Sequence, residues 1–172
     1  LEDQKKDTEN KLATASQALD QLNALQTDLL TLQAQEESLK ATITAIDKMA
    51  STKNDREIMS GGLGSRISFL QSPAASELKS MDYATAVGTL TGHGIDIKSL
   101  GVTDEKTWNA LTQEQWGAAL KKTADGYQSQ KDMLDGYDDY VSSLNSLQVE
   151  KAGVQAAVSA AEAELKKSGV SY

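Results

Sequence analysis

The first residues of this chain whose types and spacing could do chemistry are the glycines of "SGGLGSRISFL", positions 60 to 70. A glycine-rich loop can cradle phosphate on its backbone N–H groups. That chemistry also needs a buried strand before the loop, a helix straight after it and a Lys at a fixed offset. Here the glycines follow a long helical pattern, no Lys comes after them before Lys79, and neither GxGxxG nor GxxxxGK is present. The stretch therefore reads as a helix stop and flexible exit, with "RISFL" as a first strand or packing segment. His93 is the single histidine and sits between Gly92 and Gly94, a turn, with no Cys and no second His to complete a zinc site. "DGYDDY" at 135 to 140 gathers three carboxylates but lacks the alternating oxygen ligands of a calcium loop. It reads as a solvated helical face with Tyr137 and Tyr140 turned inward. One histidine in a turn completes no Ser–His–Asp set, so the expectation is a protein that is not an enzyme, with no catalytic residue, metal or cofactor.

The elements that hold these residues are legible by counting. Apolar or small residues fall at Leu12, Ala15, Leu19, Leu22, Leu25, Leu29, Leu32, Leu39, Ile43, Ile46 and Ala50, and Glu36 interrupts the row. Spacing that alternates three and four is the signature of a coiled-coil seam. No Gly or Pro occurs before Gly61, so one helix of about 40 to 50 residues is expected, about 60 to 75 Å long. A second row runs through Leu134, Tyr137, Val141, Leu144, Leu147, Lys151, Val154, Val158, Ala161 and Leu165. Each row has one three-three step, at Leu19–Leu22–Leu25 and at Val141–Leu144–Leu147. Setting these steps side by side in an antiparallel hairpin places Leu22 against Leu144, Leu12 against Val154 and Ala50 against Trp116. Two helices of an ordinary bundle are the alternative.

The second helix is expected to start at Thr112, because "TQEQ" is a capping box. Gly117, Gly126, Gly136 and Gly153 within it are read as close helix contacts or bends. From 54 to 111 the rhythm gives way to seven of the chain's twelve glycines and to short capped segments. Ser72 before Pro73 starts a short helix, Asp82 caps "YATAVGTL", and Thr103, Asp104 and Glu105 open a third. "GIDIKSLGV" alternates enough for a short strand. The expected organisation is a first coiled-coil helix over 1–53, an inserted small α or α+β subdomain over 54–111, and a second coiled-coil helix over 112–168. In this division of labour the helices fold and the subdomain binds as a passenger.

Composition narrows the partners. A net charge of −8, with no basic segment, disfavours nucleic acid and anionic lipid, both of which are bound through clustered Lys and Arg. Cysteine is absent, and no apolar run reaches the roughly 20 residues of a membrane span. The start at Leu1 rather than Met points to a processed fragment.

A long first helix, an irregular insert ending in "LTGHGIDIKSLGVTDEKTWNALTQEQW" and a long second helix rich in Ser, Asn, Gln and Leu resemble the hydrophilic needle-tip and filament proteins of bacterial type III secretion systems. The resemblance implies two coiled-coil helices carrying a variable domain, secretion to the bacterial surface or beyond, self-association, and a secretion-apparatus partner or chaperone. Lack of cysteine and a single proline suit export of an unfolded chain. The helical rod of a pore-forming toxin or bacteriocin is the alternative from another class, and a phage or cytoskeletal spacer hairpin is a third.

Overall fold

The computed structural model describes residues 1–167, so the expected end of the second helix at 168 lies outside them. Among the described residues 89% are helical and no strand occurs, which makes the fold mainly α and removes the α+β option. The chain divides into two compact units, one combining Leu1–Thr44 with the chain from Asp138 onward, the other Ala45–Tyr137.

The first unit holds α1 (Glu2–Met49) up to Thr44 and α7 (Tyr137–Lys167) from Asp138, and the two helices pack against each other. The row on α1 that turns inward differs from the expected one at its start. Leu12 and Leu19 are exposed, at 59% and 39%, whereas Ala15 and Ala18 are buried beside Leu22. With Ala18 in place of Leu19, the buried and half-buried positions 15, 18, 22, 25, 29, 32, 36, 39 and 43 alternate three and four without a break. The three-three step expected in α1 does not exist. Weighing bulk over spacing selected the larger leucine, while the helix angle selects the alanine.

The second unit is built from short, well-capped helices. After α1 the chain restarts at α2 (Lys53–Leu70), whose Thr52 hydroxyl accepts from the Asp55 N–H at 3.1 Å. Next come α3 (Pro73–Glu77), capped by Ser72 with Pro73 at its first position, and a 3-10 turn over Leu78–Ser80. α4 (Tyr83–Gly92) is capped by Asp82, which accepts from the Thr85 N–H at 2.7 Å. α5 (Glu105–Ala110) starts from Asp104 in the same way. α6 (Gln113–Asp135) opens on the full capping box: Thr112 accepts from the Gln115 N–H at 3.1 Å, and the Gln115 side chain accepts from the Thr112 N–H at 2.9 Å. Gly136 ends α6, so the second long helix is two elements rather than one.

Three expectations fail in this unit. The glycines at 61, 62 and 64 are no loop: they and "RISFL" lie inside α2. Each glycine costs a helix up to about 1 kcal/mol, and burial of Leu63, Ile67, Phe69 and Leu70 offsets that cost. The three-four rhythm thus runs past residue 54 to Leu70. "GIDIKSLGV" is no strand but a 3-10 turn, Ile97–Leu100, capped by Asp96 and closed by Gly101 at φ 83°, where a left-handed residue is needed. Of the glycines read as close contacts in the second helix, Gly117, Gly126 and, in the other unit, Gly153 mark none, while Gly136 marks the break between α6 and α7. A Cβ at Gly117, Gly126 or Gly153 would meet nothing within 4 Å.

The core of this unit centres on two indoles. Trp108 and Trp116, both essentially inaccessible, meet edge to face with ring centroids 4.9 Å apart. Each buried N–H is satisfied: Trp116 Nε1 donates to the Ala75 carbonyl at 2.9 Å and Trp108 Nε1 to the Met81 carbonyl at 3.1 Å. Phe69, Leu78, Leu90, Ile95, Val102 and Leu120 complete it. Trp116 therefore faces Ala75 rather than Ala50. Segment 61–101 supplies most of this core and is not a passenger.

Candidate functional site

The expected site is an apolar seam, and α1 and α7 bring its two rows together in a different register. Leu22, expected beside Leu144, instead clusters with Ala161 and Leu165. Leu32 and Gln35 line one shallow groove with Glu150 and Val154, so Val154 does not meet Leu12. Glu36 meets Lys151. All three pairings place α7 about three heptads away from the expected alignment, in opposite chain direction to α1. A slide of whole heptads leaves every apolar position in phase with the seam, which is why apolar spacing alone points equally to both registers. On α1, Leu22, Leu32 and Ile46 are buried, and Leu29, Leu39 and Ile43 are half-buried. On the second row Leu134, Ala161 and Leu165 are buried, and Tyr137, Val141, Leu144, Leu147, Lys151, Val154 and Val158 are half-buried.

What separates the two registers is charge. Glu36 is the one charged residue in its row and Lys151 the one charged residue in the other, and they face each other. The Glu36 side chain is 9% exposed. Its Oε1 lies 2.7 Å from Lys40 Nζ and its Oε2 3.1 Å from Lys151 Nζ. Lys40 first, then the Lys151 ammonium beside Oε2, holds its carboxyl below the usual range against the opposing pull of burial. In the alternative register Glu36 would be buried without Lys151, a costly arrangement for a carboxylate. The interruption in each row was visible in the sequence, and aligning the two interruptions would have found this register.

The residues weighed for other chemistry have structural partners. His93 stacks on Phe69, ring centroids 3.8 Å apart, at the end of α4. In "DGYDDY", Asp135 pairs with Lys131 at 2.7 Å and accepts from the Ser60 hydroxyl, and both lower its pKa. Tyr137 lies under the Arg56 guanidinium, 3.8 Å from the ring centroid, while Asp138 and Asp139 occupy the first turn of α7, where the helix dipole favours them. No three His, Cys, Asp or Glu side chains among the described residues gather as metal ligands, and no helix among them is long and apolar enough to cross a membrane.

Sequence reasoning missed one surface feature. The 3-10 turn over Ile97–Leu100 and α6 border an open groove of about 480 Å³, lined by Leu100, Ala119 and Tyr127 together with Lys98, Lys122, Thr123 and Gln130. It presents two ammonium groups in a chain of net charge −8. Its halves come from positions about 20 residues apart, with no local signal linking them.

No family model, curated protein or solved structure matches this chain.

Proposed function

We propose that the chain is a non-enzymatic structural and assembly protein of a bacterial secretion apparatus, an extracellular needle-tip or filament component. The observation that carries this reading is the pairing of two long helices along heptad-spaced rows, in a protein that leaves leucines exposed elsewhere on α1. In this reading the α1–α7 pair is a coiled coil that supplies stiffness. The capped, tryptophan-centred subdomain is the part presented to partners, since surfaces held on a rigid frame are where binding concentrates. The carboxylates with displaced titration support a structural role, because Glu36, Asp82, Asp104 and Asp135 are all held ionised by caps or lysines rather than raised as a general acid requires.

Export tests the proposal. Expressed with a small tag in the source bacterium, the protein should accumulate outside the cells and be retained in a strain lacking the secretion apparatus. Equal release from both strains, or retention in both, contradicts the reading.

A further inference from the structure

We infer that α1 carries a second, self-complementary face through which two copies of this chain pair antiparallel. The inference names the partner in the self-association that the resemblance to needle-tip and filament proteins implies, and it rests on that reading.

The face consists of Lys5, Leu12, Leu19, Asn23, Leu30 and Glu37. At 100° per residue these six positions fall within about 40° of one another, and on average about 90° from the buried row of Ala15, Leu22 and Glu36. All six are exposed, and the three leucines are open to solvent at 59%, 39% and 68%. Leu12 and Leu19 are the residues that the α7-facing row leaves out, so the stripe is separate from that seam.

Its occupant follows from its symmetry. The spacings along the stripe are seven, seven, four, seven and seven, the same in either direction. A two-fold axis across α1 therefore sets Leu12 against Leu30 of a second copy, Leu19 against Asn23 and Lys5 against Glu37, each pair occurring twice. The end charges choose the direction. Antiparallel pairing joins Lys5 to Glu37 at both ends, whereas parallel pairing sets Lys5 against Lys5 and Glu37 against Glu37. Neither side chain takes part in an ion pair among the described residues. Three leucines per copy form a small contact, so the dimer is reversible and filled at high local concentration, the condition inside an assembly.

Sedimentation velocity of the purified chain over a concentration series tests this, with circular dichroism confirming that each variant keeps its helix content. The mass should rise towards that of a dimer, and Leu12→Gln with Leu30→Gln should hold it at the monomer. Lys5→Glu should weaken dimerisation about three- to tenfold, and adding Glu37→Lys should restore it. Under oxidation, Leu12→Cys with Leu30→Cys should give covalent dimers while Leu12→Cys alone does not. A chain that stays monomeric at every concentration overturns the inference. So does a dimer that survives loss of both leucines, or efficient crosslinking through Leu12→Cys alone. Because the assay uses purified protein, a negative result here leaves the export comparison intact, and failure of export leaves this dimer intact.

Discussion

The α1–α7 unit and the tryptophan-centred unit are both helical, yet they reach a unique structure by different means. The first repeats small and aliphatic residues at heptad spacing, so many of its positions are interchangeable after a slide of seven. The second contains no interchangeable positions: Trp116 reaches Ala75, Trp108 reaches Met81, and each indole N–H has one carbonyl that suits it. A repetitive interface needs a marker to fix its alignment, whereas an irregular core is its own marker. In the first unit the marker is Glu36 opposite Lys151. Such use of a lone polar layer to specify register is well founded in coiled coils.

Removing a unique contact should cost the most. Trp116→Ala leaves a large cavity and removes the indole hydrogen bond to the Ala75 carbonyl, and should destabilise the protein by about 3 to 5 kcal/mol in chemical denaturation. Leu29→Ala, at a half-buried seam position, should cost less. Equal losses would erase the distinction between the two units.

The marker comes next. Glu36→Lys sets like charges against Lys40 and Lys151 and should lower the melting temperature, and adding Lys151→Glu should recover most of the loss. If the double exchange stays as unstable as the single, the pair is not what aligns the helices. Replacing both residues by Leu should preserve helix content while letting a second register appear, because the seam then carries only repeating apolar residues.

Smaller gains are expected in α2. Gly61 and Gly62 have helical backbones, and a Cβ at either meets nothing within 4 Å. Alanine at each should stabilise the protein by about 0.5 to 1 kcal/mol. A loss on either substitution would favour a looped conformation instead.

Acid should act through the caps. The Thr85 hydroxyl and N–H lower the pKa of Asp82, and the Thr107 N–H, then its hydroxyl, lowers that of Asp104. A depressed carboxylate contributes stability that is complete above its unfolded pKa of about 3.9 and is lost as pH falls through the folded value. Asp82→Asn with Asp104→Asn keeps both caps but removes the titration. The fall in melting temperature below about pH 4 should therefore be shallower in this variant. An unchanged acid profile would assign the loss to other carboxylates.

Much of the fold was legible because its determinants are local. Ser72 with Pro73, Asp82, and Thr112 with Gln115 each announce a helix start within four residues, and each appears in the structure as read. What escaped the reading depends on distant partners. The helix through Gly61, Gly62 and Gly64 is held by packing that local propensity does not contain. The 3-10 turn at Ile97 looks like an alternating strand because Ile95, Ile97 and Leu100 are all drawn into the same core. Leu19 outweighs Ala18 in bulk, while the helix angle favours Ala18. The register was present in the sequence as two lone charges, but the apparent three-three steps offered a competing alignment.

The register is also the claim most open to direct test. The chain has no cysteine, so introduced pairs can be read without background. Leu22→Cys with Leu165→Cys should close an intramolecular disulfide under mild oxidation at low protein concentration, while Leu22→Cys with Leu144→Cys should not, since a disulfide tolerates only about 4 to 7 Å between Cα atoms. Closure of the Leu22–Leu144 pair, with the Leu22–Leu165 pair left open, would contradict the account.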